Sequence, residues 1–351
     1  MAFTTIDDPS EYFQAITWSA ESSGDVTVTF GGNSDLQLDW LWSKCRNIGH
    51  SHALANSSVV SSGNYYYLLS DTNGAEDTGT DDLKTITSDG FTAGQDAHFG
   101  LSGRTYVGYG WKANGGSTSS NTDGSITSTV QASTASGFSI VTWTENGSDN
   151  ATVGHGLGEK PKIIIPKRRD NTGHWLINNW VSEQDYAQKL KWNDTEAQTS
   201  SDSFVKDANS TTFTLGTDVD VNANTGTYVA YCFAEKQGFS KFGQYTGNGS
   251  TNGPFLYTGF TPNFFFVKRW DGTASWHLYD GEREKFNDGS RLAFKINTDE
   301  AEFSKNVDFL SNGVKFRDTT SDANTAGGAY IWAAFARHPF VSSKGVPITA
   351  L

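Results

Sequence analysis

Two oxygen-rich loops are the residues of this chain whose spacing first suggests chemistry. Asp71-Thr-Asn73-Gly-Ala-Glu76-Asp77 and Asp218-Val-Asp220-Val-Asn222 each gather carboxylate and amide oxygens over a few residues. Hard cations such as calcium take that donor type. Neither loop has the EF-hand pattern, in which Gly stands sixth and a bidentate Glu twelfth. Asp71, Asn73, Asp218 and Asp220 are therefore weak calcium candidates, and solvated loops are the expected state. His50 and His52 stand two apart, but no Cys or carboxylate lies at ligand spacing beside them, so no metal is assigned. Gly154-His155-Gly-Leu-Gly158 resembles a phosphate loop only superficially. It lacks the G-x-x-x-x-G-K spacing, and Pro161 and a β-run follow where a helix is required. His155 is expected in a solvated turn. Trp175 and Trp276 follow Gly173-His and Thr273-Ala-Ser, in loops rich in His and Trp. Packing is the favoured use for both, and they are also the candidates for stacking on a sugar. Gly-x-Ser-x-Gly and His-Glu-x-x-His are both absent. The expectation is no catalysis and no cofactor.

The elements that position these residues recur along the chain. Phe13-Gln-Ala-Ile-Thr-Trp18, Phe138-Ser-Ile-Val-Thr-Trp143 and Phe239-Ser-Lys-Phe-Gly-Gln244 open three similar segments. Each continues into an apolar run ending in a cation: Trp40-Leu-Trp-Ser-Lys44, Ile163-Ile-Ile-Pro-Lys167 and Phe264-Phe-Phe-Val-Lys268. Phe91, Phe213 and Val314 mark a third block. Tyr106-Val-Gly-Tyr-Gly-Trp111, Tyr228-Val-Ala-Tyr-Cys-Phe233 and Tyr330-Ile-Trp-Ala-Ala-Phe335 close the units. Lys167 and Lys268 are separated by the same interval as Phe213 and Val314. Landmarks in one order at constant intervals imply a triplicated unit.

The expected fold is all-β: three tandem β-sandwich-like repeats of about 100 residues, each long enough to bury a core. Short alternating runs such as Arg291–Ile296, and the Asn312-Gly313 turn between Val307–Leu310 and Val314–Phe316, carry that reading. Hydrophobic residues make up only 36% of the chain, but aromatics reach 13%, and large rings close a core with fewer residues. The only helix-prone stretches are Ser182–Lys191 and Asp280–Phe286.

The expected organisation is an N-terminal arm (1–12), a divergent first repeat (13–113), a Ser/Thr/Gly-rich linker or loop (114–136), repeats over 137–237 and 238–340, and a C-terminal tail (341–351). The short junction between the second and third repeats predicts a rigid pair, with the first joined more loosely or packed by a long detour. Arm and tail offer Phe3, Ile6, Val346 and Ile348 for attachment or oligomer contact.

A formal net charge of −13 repels phosphates, which argues against nucleic acid as a partner. No run is long and apolar enough for a membrane span, and the first residues carry no basic, apolar signal pattern. Cys45 and Cys232 do not match in the repeat, so a disulfide is not expected.

His155-Gly-Leu-Gly-Glu-Lys-Pro-Lys-Ile-Ile-Ile-Pro-Lys-Arg-Arg-Asp170 resembles a repeat found in virion proteins of tailed bacteriophages, often marine ones. Phe213-Thr-Leu-Gly216, Phe239-Ser-Lys-Phe-Gly-Gln-Tyr-Thr-Gly-Asn-Gly-Ser250 and Tyr330-Ile-Trp-Ala-Ala-Phe-Ala-Arg-His-Pro-Phe340 are similar to the same family. The resemblance runs from about Ser136 to Val346, and the first unit departs from it. It implies a structural or tail-fibre-like protein, made in the host cytoplasm and placed on the virion, with no catalytic residues. The expected function is a fibre, spike or capsid-surface decoration that contacts other virion proteins and a host-surface glycan or protein. A homo-oligomer is expected, with a trimer favoured. The alternatives are a carbohydrate-binding protein using Trp175 and Trp276, and a glycan-cleaving spike.

Overall fold

The structure, a computed structural model, describes residues 4–179 and 188–347. It is almost wholly antiparallel β. The first unit holds β1 (Phe13–Ala20), β2 (Val26–Thr29), β3 (Trp40–Cys45), β4 (Ala53–Ser61), β5 (Asn64–Leu69), β6 (Leu83–Thr87), β7 (Gly90–Ala93) and β8 (Arg104–Trp111). Then come β9 (Ser119–Asn121), β10 (Ser128–Ser133), β11 (Phe138–Thr144), β12 (Thr152–Gly154), β13 (Ile163–Arg168), β14 (Leu176–Asn179), β15 (Gln188–Lys191), β16 (Thr199–Ser200), β17 (Val205–Ala208) and β18 (Thr212–Leu215). A single helical turn, α1 (Val219–Asn222), leads into β19 (Thr227–Phe233). The last unit holds β20 (Ser240–Thr246), β21 (Phe255–Tyr257), β22 (Phe260–Arg269), β23 (His277–Asp280), β24 (Arg291–Lys295), β25 (Phe303–Lys305), β26 (Val307–Leu310), β27 (Gly313–Phe316) and β28 (Ala329–Pro339).

Aromatic and β-branched residues on alternating faces build these strands, and the pairing repeats one plan. The large sheets run β1-β8-β3-β4-β5, then β11-β19-β13-β14-β15-β16, then β20-β28-β22-β23-β24-β25. A small three-stranded sheet accompanies each: β2-β7-β6, β12-β18-β17 and β21-β27-β26. Lys44, Lys167 and Lys268 lie opposite Val107, Val229 and Ile331, the corresponding positions of the closing strands. Inside each unit a ring stacks on the tyrosine that opens the closing strand. These pairs are Trp18 on Tyr106, Trp143 on Tyr228 and Tyr245 on Tyr330, at 5.3, 5.4 and 4.8 Å. Each tyrosine hydroxyl donates to a carbonyl upstream (Ala97, Val219, Ser321) and accepts an amide between (Leu101, Ala223, Thr325). The loop before each closing strand is thereby pinned, and its backbone polar groups are satisfied away from water.

The faces of the large sheets turned away from the small sheets pack on one another. Trp40 of the first unit stacks on Tyr231 of the second at 4.2 Å. Trp111 meets Phe264 and Phe335 of the third at 5.2 and 5.4 Å, and Phe233 meets Phe335 at 5.5 Å. One contiguous buried cluster therefore draws residues from all three units, while the first two keep separate sandwich cores behind it. Of the two arrangements expected for the first unit, the loose joint is corrected and the packed one is found, because Trp40, Trp42 and Trp111 lie in the shared core.

Other expectations are also revised. Residues 114–136, expected as a linker or loop, include β9 and β10, which extend the second large sheet beyond β11. Their buried positions, Val130 and Gln131 among them, give this polar segment a face to cover. Residues 182–187 of one helix-prone stretch lie outside the described residues, and its end, Gln188–Lys191, is strand β15 paired with β14. Asp280–Phe286 forms no helix, because Asp280 closes β23 and its carboxylate accepts the amides of Glu282 and Arg283. Phe239 does not take the place of Phe13 and Phe138. Ser240 lies opposite Phe335 as Phe13 lies opposite Trp111 and Phe138 opposite Phe233. The hairpin of β26 and β27 forms with Leu310 paired to Gly313. A Cβ on Gly313 would lie 2.2 Å from the Leu256 carbonyl of β21, so glycine permits the close approach.

A core shared by three units should unfold as one. Trp40→Ala and Phe266→Ala should each cost roughly 3–5 kcal/mol. Calorimetry should show a single transition displaced downward for both. A separate early transition for the first unit would contradict the shared core.

Candidate functional site: inter-unit latches and the terminal grooves

Lys44, Lys167 and Lys268, the lysines at 0% exposure, each reach into a neighbouring unit. Lys44 Nζ donates to the Asp299 carbonyl of the third unit at 3.2 Å and to Cys45 O at 3.0 Å. Lys167 Nζ donates to Gly74 O (2.7 Å) and Asn73 O (3.4 Å) of the first unit, and to Arg168 O at 2.9 Å. Lys268 Nζ donates to Thr195 O of the second unit (3.1 Å) and to Ala274 O (2.8 Å). The direction is cyclic, first to third, second to first, third to second. All three side chains are fully buried, and desolvation brings each amine down to about 8. At neutral pH they remain ammonium ions with three donors each.

Eight residues after each lysine, a ring makes a second crossing. Trp175 Nε1 donates to Leu69 O at 2.8 Å and Trp276 Nε1 to Lys191 O at 2.9 Å. In the first unit His52 stands here, with Nε2 3.1 Å from Lys295 O while Nδ1 accepts the Trp42 indole N–H at 2.9 Å. With Nδ1 accepting, Nε2 carries the proton, and burial holds this imidazole well below its ordinary pKa. Backbone bonds complete the seam, from Glu302, Glu76 and Gln198 N–H to the carbonyls of Arg46, Arg169 and Trp270. Two of these places add ion pairs, Arg46–Glu302 at 2.9 Å and Arg169–Glu76 at 2.7 Å.

The residues singled out in the sequence take these places. Trp175 and Trp276, expected as sugar-stacking candidates, are completely buried and serve as inter-unit pins. Asp71 accepts Ser51 Oγ at 2.8 Å and lies near Lys44, and the Asn73 carbonyl serves Lys167. Asp218 caps α1 through the Asp220 amide, and Asp220, itself buried, accepts His174 N–H at 2.9 Å near Lys167. The cation beside these oxygens is thus a lysine of the chain, and no metal-holding cluster of His, Cys, Asp and Glu occurs among the described residues. His155 is buried, not solvated. Its Nδ1 accepts Leu157 N–H and its Nε2 faces Asn209 O at 3.1 Å. Cys45 and Cys232 are free and buried. The latches escaped sequence reading because each partner is a backbone carbonyl. The signal was present, however, in the lysine recurring at the end of an apolar strand.

The terminal segments meet. Ile6 is buried in the shared core, so it offers no surface for attachment, whereas Val346 is 59% exposed. Phe3 and Ile348 lie outside the described residues. Asp7 accepts both the amide and the hydroxyl of Ser343, which ties the arm to the tail. Nearby, two adjoining hollows of about 480 and 530 Å³ flank the ends of β22 and β28 and share Lys285 and Arg337 as walls. No helix among the described residues is long and apolar enough to cross a membrane.

The chain belongs to the family described as "Domain of unknown function (DUF7483)", whose model matches residues 8–339. No curated protein and no solved structure matches it.

Lys167→Met should leave the Gly74 and Arg168 carbonyls without a donor and cost roughly 1–3 kcal/mol. The latches also set a pH dependence. Each lysine's folded pKa, about 8, lies below the unfolded value of 10.5. Below pH 8 both states hold the proton. From pH 8 to about 10 the unfolded chain binds more protons, so stability rises with pH. Above that range the buried tyrosines, Tyr228 among them at about 12, reverse the slope, because the unfolded chain ionises first. Denaturant titrations should show this rise, reduced in Lys167→Met. An unchanged rise would mean that the amine is not desolvated. His155→Ala should also lower stability by roughly 1–3 kcal/mol, since it strands a buried carbonyl and amide. Wild-type melting would return His155 to a solvated turn.

Proposed function

We propose that this member of the DUF7483 family is a non-enzymatic structural protein on the exterior of a tailed-bacteriophage particle. It acts as a tail fibre or spike component or as a capsid-surface decoration, in attachment and host-surface contact. The observation that carries the reading is the cyclic latch. Conserving the same crossing at Lys44, Lys167 and Lys268 places buried cations and ring N–H groups at the seams between units, where they serve rigidity. A rigid β-body suits a component that must keep its shape on a particle. The virion-protein resemblance of His155–Asp170 and Tyr330–Phe340 supports the same place. The three units bury against each other the faces that a trimer of single units would share. One chain thus offers a three-fold-like body, and further self-association would use the outer surface around the joined termini.

Antibody raised against the purified chain should label purified particles by immunogold at a regular position. Antigen confined to the soluble fraction of infected cells, with unlabelled particles, would overturn the reading.

A further inference from the structure

The third unit departs from the common plan at one end, and there it forms a groove. β22 begins at Phe260, four residues before Phe264, which matches the starts of β3 and β13. β28 runs on to Pro339, past the place where β8 and β19 stop. The added strands pair with two register shifts around Pro262, and Asn263 falls out of the ladder. Such bulges re-aim side chains and gather near binding sites. Asn263 is 8% exposed, and its side-chain oxygen has no hydrogen-bond partner. It borders the hollow of about 480 Å³ formed with Asp8 of the arm and Gln14 of the first unit. A buried amide oxygen left unpaired is costly.

The adjoining hollow of about 530 Å³ continues the groove past Arg337 and Lys285. Arg337 donates to Gly281 O at 3.3 Å. None of the ion pairs among the described residues involves it, which leaves the rest of its guanidinium fork for a ligand. Beyond it stands Phe286, 77% exposed, the barest large apolar side chain among the described residues. The wall beneath is rigid. Arg291 is bonded to the carbonyls of Val307, Asp280 and Glu284 and to Asn287, so this end of the site is organised before any ligand arrives.

We propose that this groove binds an acidic oligosaccharide, a chain of sugars bearing carboxylates. The Asn263 oxygen accepts a sugar hydroxyl. Arg337 takes a carboxylate with the bidentate geometry that suits a guanidinium. Phe286 presents its ring to the C–H face of a sugar. A nucleic acid would bring phosphates at every step against a protein of net charge −13, whereas a single carboxylate at Arg337 needs only that cation, Lys285 being paired with Glu282 in a lining that also holds Asp8.

The site deepens the host-contact reading and rests on it. Titration calorimetry of the purified full chain with a hexauronate and with maltohexaose tests it. The hexauronate should bind, and the neutral hexamer should bind at least about tenfold more weakly. Phe286→Ala, an exposed change that leaves melting unaltered, and Arg337→Gln should each weaken binding by about tenfold or more. No binding of the hexauronate, equal binding of both sugars, or binding unaffected by Phe286→Ala would overturn the proposal. Particles that label with antibody while the chain ignores the hexauronate would remove this site and leave the structural role. Saccharide binding by a chain missing from particles would do the reverse.

Discussion

Three ammonium groups withdrawn from water constrain the whole molecule. A buried charge is tolerated only where hydrogen bonds replace its hydration, and the backs of the large sheets offer few acceptors. Each lysine finds one acceptor in its own unit and completes its set on the loop of a neighbouring unit. The aromatic core between the sheets supplies the larger, non-directional part of the association. The lysines and the ring N–H groups fix its register, because a slipped interface would strand three charges at once.

The ring is cyclic without being uniform. Asn56 donates to the Tyr231 hydroxyl across one interface, and Tyr109 donates to Asp280 across another. In the third unit Ala333 stands where the tyrosine would be, and both polar atoms of Asn179, the counterpart of Asn56 and Asp280, are unpaired. Asp280 answers a further need. It pairs with the buried Arg283, which also reaches Glu302, and this charged knot holds its carboxyl below the usual range. The interface between first and third units thus joins a charged knot to the tyrosine contact, and the groove opens beside it.

Departure from the common plan and exposure of binding chemistry coincide. Where the units match, side chains are consumed in the core or at the seams, Trp175 and Trp276 included. Where the third unit adds strand length, a bulge, a guanidinium held by a single backbone bond and a bare ring come to the surface together. A scaffold made rigid by its symmetric part can carry such a local addition without loss of shape.

The order of landmarks in the sequence determined the strands and their repeated plan. Period-two alternation and aromatic density respond to which face of a sheet is buried, and that is local information. Trp18, Trp143, Tyr106, Tyr228 and Tyr330 could be matched for this reason. What the latches hold was decided only by the tertiary structure, because their acceptors are backbone carbonyls that any residue can supply. Asp71, Asp220 and His155 read as solvated from composition, yet they stand beside buried groups brought from distant parts of the chain. The tryptophans that were candidates for a sugar site turned out to be pins, and the groove arose where one residue on each of two paired strands, Asn263 and Arg337, leaves the ladder. A bulge leaves no trace in hydrophobic periodicity until the partner strand is known.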